Sequence, residues 1–151
     1  TDAISDRAIQ QIKNHAADHA DKAFFQYVAY TAPHWPLHAH EEDIAKYKGR
    51  FDAGWDQLRE ERLQRMIDMG IIDPSWDLSD RDPDVGPWAD QPHKEWEVRR
   101  MEVYAAQIER MDRGIGRIIE SLKETGQLEN TVIIFLADNG GCAEELHEGH
   151  L

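Results

Sequence analysis

The sequence predicts an α/β domain with a largely parallel central sheet flanked by helices. Two short apolar segments, residues 24–30 and 131–137, carry this prediction, because aromatic and β-branched residues dominate them as they do buried strands. Segment 131–137 is almost continuously apolar, a pattern typical of parallel strands that are covered on both faces. Helical patterns separate the two segments, and strands joined through helices favour a parallel relation within one sheet.

Composition and charge indicate a globular chain and argue against two classes of partner. The chain has 151 residues, of which 40% are apolar and 31% charged, and it contains no repeat, so we interpret it as one unit. The net charge of −13 disfavours nucleic acids, whose binding depends on neutralising phosphates, and anionic membrane surfaces. The longest apolar run, Val132–Ala137, is far shorter than the roughly 20 residues that span a bilayer.

Three helices and one long loop are expected from the sequence pattern. The first helix covers about residues 3–20, where Ile4, Ala8 and Ile12 recur at helical spacing, and the second covers about residues 55–69 and ends at Gly70, as a C-cap would. The longest helix runs from Met101 to about residue 125, with Gly126 just past its end. Residues 71–95 contain four prolines and no clear period, which predicts a long irregular loop.

The longest helix carries an apolar stripe with steps of three and four residues. Its members are Met101, Tyr104, Ile108, Met111, Ile115, Ile118 and Leu122. The stripe is open to two interpretations, a core-facing helix or a coiled-coil seam. Gly114 and Gly116 lower the helix propensity and favour the first interpretation, because glycines suit a helix that packs closely on a sheet.

Polar residues follow both predicted strands, at the edge where open α/β sheets bind ligands. Asp138 and Asn139 offer hard oxygen ligands that suit Ca²⁺ or Mg²⁺. The same pair followed by Gly140 and Gly141 also makes an ordinary turn, since both Asn-Gly and Gly-Gly tolerate positive φ. Two ligands cannot complete a calcium shell of about six to eight oxygens, so further ligands would have to come from elsewhere.

His34 follows the first strand and stands between two prolines that fix its backbone. A rigidly held imidazole there could act as a general acid or donate to an oxyanion, or it could be a loop histidine without a role. His34, His38 and His40 suggest zinc only weakly, as do His147 and His150, because neither spacing matches an established zinc motif.

Three blocks of sequence resemble the sulfatase family, especially the bacterial arylsulfatases. They are FFQYVAYTAPHWPL at 24–37, KYKGRFDAGWDQLREERLQRMIDMGII at 46–72 and RRMEVYAAQIERMDRGIGRIIESLKETGQLENTVIIFLADNGG at 99–141. The order and spacing of the blocks agree, and the resemblance covers nearly the whole chain. It implies the α/β fold of the alkaline phosphatase superfamily, with a large central sheet.

The resemblance also implies roles for three residues. His34 is similar to the histidine that assists the leaving-group oxygen of the sulfate ester, and Asp138 and Asn139 resemble ligands of Ca²⁺, with Mg²⁺ less expected. In that family the nucleophile is a formylglycine made from a cysteine in a Cys-x-Pro-x-Arg context. That motif is absent from these 151 residues, and Cys142 has different neighbours, including Glu144 and Glu145.

The chain is therefore expected to be an internal fragment of a sulfatase catalytic domain that is inactive alone. Its parent would hydrolyse sulfate monoesters of a small molecule or glycan, and the resemblance favours a periplasmic or secreted location. A phosphodiesterase or phosphonate hydrolase of the same superfamily is the alternative enzyme. A non-catalytic calcium-binding domain on a degenerate sulfatase fold is the alternative from another class. The oligomeric state and the particular ester stay open.

Overall fold

A computed structural model describes residues 1–140, and residues 141–151, which include Cys142, His147 and His150, lie outside the described residues. The described part contains four α-helices: α1 (Asp2–Asp18), α2 (Glu41–Ile44), α3 (Gly54–Asp68) and α4 (Lys94–Glu124). Short 3-10 turns occupy Ala45–Tyr47, Trp88–Asp90 and Leu128–Asn130. No helix among the described residues is long and apolar enough to cross a membrane.

The predicted helices are confirmed, and α4 begins earlier than its apolar stripe does. Helices α3 and α4 are both followed by the predicted glycine. Gly70 follows α3 and Gly126 follows α4, with φ values of 69° and 70°. After α4 the Gly126 N–H donates to the Lys123 carbonyl at 3.0 Å, and the Gln127 N–H donates to the Leu122 carbonyl at 2.8 Å. These two bonds satisfy carbonyls that the helix end would otherwise leave unpaired.

The predicted strands do not form among residues 1–140. Residues 24–30 and 131–137 are neither helical nor strand, so the largely parallel sheet is not observed. A strand requires ladder hydrogen bonds to a neighbouring segment, and neither segment pairs with another described segment. Segment 24–30 nevertheless keeps the two-residue period of a strand. Its half-buried residues are Phe24, Gln26, Val28 and Tyr30, and its exposed residues are Phe25, Tyr27 and Ala29.

The chain divides into two compact units, of which unit 1 combines residues 1–34 with residues 111–151. Its described core contains Ala8 and Ile12 of α1 and Leu122 of α4, all buried. Lys13 of α1 pairs with Glu124 of α4 at 2.9 Å. These contacts hold α1 against the C-terminal half of α4.

Unit 2 consists of residues 35–110 and contains α2, α3 and the N-terminal half of α4. Ile44 and Ala106 are its fully buried apolar residues, and the Asp43 carboxylate, 1% exposed, is buried with them. Asp43 accepts bonds from Arg110 at 2.7 Å and from Lys46 at 3.1 Å, so its charge is compensated.

In unit 2 the predicted apolar stripe of α4 is not the buried face of the helix. Tyr104 and Ile108 are 40% and 39% exposed, whereas Glu102, Ala106 and Gln107 are buried. Polar side chains occupy this buried face because they bond within unit 2: Glu102 accepts the Gly49 N–H at 3.2 Å, and the Gln107 nitrogen donates to the His38 carbonyl at 3.1 Å. Hydrophobicity alone therefore predicts the wrong side of this half of the helix.

Candidate active site

His34 lies in a rigid, exposed turn that follows segment 24–30. Its N–H donates to the Thr31 carbonyl at 2.9 Å, which closes the turn. The Ala32–Pro33 and Trp35–Pro36 peptide bonds on either side of it are both cis. The two proline rings fix the backbone on both sides of the histidine, as the sequence predicted, and the exposed imidazole can reach a ligand.

The segment that leads to His34 is attached to α1. The Tyr30 hydroxyl lies 2.7 Å from the Ser5 hydroxyl, and Ser5 is fully buried. The Gln26 amide donates to the Ala8 carbonyl at 3.2 Å and to the Gln11 side chain at 3.0 Å. These side chains hold the segment, which has no neighbouring strand within residues 1–140.

The Asp138–Asn139 pair follows segment 131–137 and is exposed. The Asn139 amide nitrogen donates to the Gly140 carbonyl at 2.6 Å, which uses the donor atom of the amide and leaves its oxygen for a ligand. Within residues 1–140 the Asp138 carboxylate makes no hydrogen bond or ion pair. Two hard oxygen donors on adjacent residues fit Ca²⁺ or Mg²⁺, and they fit a softer metal poorly.

Both parts of the predicted site belong to unit 1, and each stands at the C-terminal end of a non-helical apolar segment. No group of three or more His, Cys, Asp or Glu side chains that could hold a metal occurs in the part of the chain that the structure describes. The weak zinc interpretation of His34, His38 and His40 therefore gains no support. Two oxygen donors alone are an incomplete metal site.

The predicted long loop, residues 71–95, is held against α3 by side chains of Trp55, Asp56 and Arg59: Trp55 and Arg59 donate to loop carbonyls, and Asp56 accepts from the loop. Asp56 accepts the Trp88 N–H at 2.8 Å and the Arg81 guanidinium at 2.6 Å. The Trp88 N–H bond and then the Arg81 pair lower the pKa of Asp56 below its ordinary value. Trp88 packs edge-on against Trp55, with ring centres 4.8 Å apart, so this part of the loop has a defined conformation.

The sequence pattern did not predict the contacts of Ser5, Tyr30 and Gln107, which lie on either side of His34 along the chain. Gln107 donates to the His38 carbonyl at 3.1 Å and is only 8% exposed. Two of these polar residues could have been noticed, because Ser5 lies beside the apolar stripe of α1 and Gln107 lies at helical spacing from Tyr104 and Met111.

Comparison with known proteins identifies the family. A sequence profile of the Sulfatase family matches residues 1–151. The chain is 42% identical over 150 residues to an uncharacterised sulfatase of Schizosaccharomyces pombe, covering 91% of this chain and 25% of that protein. It is 37% identical over 121 residues to an arylsulfatase of Klebsiella aerogenes, covering 80% and 26%. An arylsulfatase of Volvox carteri is 28% identical over 151 residues, covering 93% and 22%.

These matches extend over both units of the structure. The chain belongs to the sulfatase family. It spans about a quarter of the length of the curated relatives it matches. The family implies the alkaline-phosphatase-like fold, although the described residues of this chain contain only its helical part.

Proposed function

We propose that this chain is part of a sulfatase catalytic domain that hydrolyses sulfate monoesters, and we call that whole protein the complete enzyme. The observation that carries the proposal is the family match across all 151 residues, which includes the His34 turn and the Asp138–Asn139 pair. Arylsulfatases among the relatives support an aryl sulfate or a similar sulfate ester as substrate. The chain alone is expected to be inactive, since it contains no Cys-x-Pro-x-Arg motif for a formylglycine nucleophile.

In the complete enzyme, segments 24–30 and 131–137 become parallel strands of the central sheet. The two-residue period of segment 24–30 supports this, because it already presents alternate side chains to α1. Segment 131–137 supports it in another way: Val132 and Leu136 are 86% and 70% exposed, and so large an apolar surface is ordinarily covered. Both strands would then end at one edge, which brings His34 near Asp138 and Asn139.

His34 is the general acid in this proposal. Cleavage of the sulfur–oxygen bond leaves negative charge on the alcohol or phenol oxygen, and the protonated imidazole donates its proton to that oxygen as the bond breaks. The turn closed by the Thr31 carbonyl and the flanking prolines restrict the backbone that carries the imidazole, which limits the motion needed to reach the leaving group.

Asp138 and Asn139 would hold Ca²⁺ through the Asp138 carboxylate and the Asn139 amide oxygen. When bound, the ion would stabilise the negative charge of the sulfate group and of the nucleophile. The remaining ligands would come from elsewhere in the complete enzyme, because about six to eight oxygens surround calcium in proteins. The bond from the Asn139 amide to the Gly140 carbonyl favours this arrangement, since it orients the amide.

The proposal is tested by comparing sulfur and phosphorus esters that share the 4-nitrophenyl leaving group. We expect the complete enzyme to hydrolyse 4-nitrophenyl sulfate, to lose that activity on calcium chelation and to regain it when Ca²⁺ is restored. Faster hydrolysis of 4-nitrophenyl phosphate diesters or phosphonates would favour the other enzyme class of the superfamily. Calcium binding with no turnover of any of these esters would favour a non-catalytic domain.

A further inference from the structure

Gln107 is a buried polar residue whose amide is only half satisfied. Its nitrogen donates to the His38 carbonyl at 3.1 Å, and the side chain is 8% exposed. Its oxygen is buried and has no hydrogen-bond partner within residues 1–140. The amide cannot turn over to improve this, because its oxygen would then face the His38 carbonyl oxygen, and two acceptors repel.

A half-satisfied buried amide lowers stability relative to an apolar side chain of the same shape. Leucine or methionine would fill the same volume on α4 without leaving an acceptor unpaired. The bond to His38 is therefore the feature that only the glutamine supplies. Packing therefore does not explain why position 107 is a glutamine, and its hydrogen bond to the His38 carbonyl is the remaining explanation.

The bonded carbonyl belongs to the backbone that continues from the His34 turn. Pro36 lies between His34 and His38, and its ring restricts the backbone torsions of the short segment that joins them. On the other side of the turn, Tyr30 is held by Ser5 at 2.7 Å. Tyr30 is thus bonded within unit 1 and the His38 carbonyl within unit 2, one before the histidine in the sequence and one after it.

We propose that Gln107 is a positioning residue for His34: it holds the His38 carbonyl and thereby fixes the backbone that carries the imidazole. This inference rests on the proposed function, because it assigns His34 to the reaction. Gln107 does not touch the substrate in this account. It acts only through the backbone, so its loss should affect the proton-transfer step and leave substrate affinity nearly unchanged.

The test compares Gln107→Met with Ser121→Ala in the complete enzyme. Ser121 is a matched control, since it is also a buried polar residue of α4, but within residues 1–140 its hydroxyl bonds only to the Ile118 carbonyl of its own helix. For phenyl sulfate, we expect Gln107→Met to lower kcat about tenfold with little change in KM, while the thermal midpoint stays equal or rises. Ser121→Ala should leave kcat unchanged.

A second variant, Gln107→Glu, tests directly whether position 107 must donate a hydrogen bond to the His38 carbonyl. A protonated glutamic acid can donate to the His38 carbonyl, and a carboxylate cannot. The kcat of Gln107→Glu, relative to that of the unsubstituted enzyme at the same pH, should therefore recover as the pH falls. A role in packing alone predicts no such recovery. It also predicts that Gln107→Met keeps the parent kcat and pH profile, and that result would overturn the inference.

Hydrogen exchange separates failure of this inference from failure of the proposed function. Gln107→Met should increase exchange of the amides of residues 34–40, whether or not the protein is a sulfatase. If the parent protein hydrolyses no sulfate ester, the proposed function fails and the exchange result alone decides the positioning role. If the parent is active and neither kcat nor exchange changes in Gln107→Met, only the positioning role fails.

Discussion

The hydroxyl groups of Ser5 and Tyr30 lie 2.7 Å apart and join α1 to the segment that precedes His34. The pair is covered by α4 at Gly114, where an added Cβ would lie 2.3 Å from the Ser5 oxygen and 3.1 Å from the Tyr30 oxygen. A glycine in the middle of a helix is unfavourable by itself, so its presence here is explained by this close approach.

Gly114→Ala should therefore destabilise the protein by about 1–3 kcal/mol, because the methyl group must displace the Ser5–Tyr30 pair. Gly116→Ala is the matched control, since it lies on the same helix and a Cβ there meets nothing within 4 Å. The control should stabilise the protein by about 0.5–1 kcal/mol through helix propensity. Urea unfolding of both variants in the complete enzyme measures the difference, and equal shifts for the two would contradict the close packing.

The buried Asp43 carboxylate is expected to be a main determinant of stability in unit 2. Asp43→Ala removes one partner of Arg110 and of Lys46 from a buried position. Because both cations are partly exposed and have other acidic neighbours, we expect a loss of about 2–4 kcal/mol, somewhat below that for a fully buried pair. Neighbouring Glu42 also faces Arg110, at 3.8 Å, but is 78% exposed, and Glu42→Ala should change stability by less than about 0.5 kcal/mol. A similar small effect of both variants in urea unfolding would refute this assignment.

Asp56 should make the stability of unit 2 depend on acidity. Its pKa in the folded protein is lowered by the Trp88 N–H and by Arg81, so the unfolded chain binds more protons as the pH falls. The stabilisation is complete above the ordinary value of 3.8 and is lost as the pH drops through the lower folded value. Asp56→Asn should weaken this dependence.

The measurement for Asp56 is the urea midpoint between about pH 5 and pH 3 in the parent and in the variant, because this range spans the ordinary Asp pKa. Asp77→Asn serves as the control, since Asp77 is an exposed carboxylate of the same loop. If Asp56→Asn and Asp77→Asn change the acid dependence equally, the contacts of Asp56 are not its cause.

Segment 131–137 should be protected only when the rest of the domain is present. In the isolated 151-residue chain its amides have no ladder partner among residues 1–140, so they should exchange at nearly the unprotected rate. In the complete enzyme we expect protection of about 100-fold or more, as for a central strand. Fast exchange in both proteins would show that the segment is not a strand of the sheet.

The helices and their ends were predictable because their signals are local. The C-cap glycines Gly70 and Gly126 and the spacing of Ile4, Ala8 and Ile12 depend on the chain within a few residues. The two strands were predicted from equally clear local patterns, yet they do not form among residues 1–140. Strand formation depends on a partner elsewhere in the protein, and a local pattern cannot supply one.

The candidate site likewise contains residues that local sequence predicts and contacts that it does not predict. His34, Asp138 and Asn139 were found from their positions after the apolar segments and from the family resemblance, and their roles are still predictions. The supports were not found, because the bond from Ser5 to Tyr30 and the bond from Gln107 to His38 join distant parts of the sequence. Side chains of this kind are polar residues at apolar helix positions, and only the folded structure gives their partners.

The most direct test of the account is the leaving-group dependence of His34→Ala in the complete enzyme, with His38→Ala as the control from the same exposed loop. A general acid matters most when the leaving oxygen is a poor leaving group. His34→Ala should therefore lower kcat for phenyl sulfate by about 10²–10⁴-fold and lower it far less for 4-nitrophenyl sulfate. His38→Ala should change neither. An equal loss on both esters, or no loss on either, would contradict the role of His34 as the proton donor.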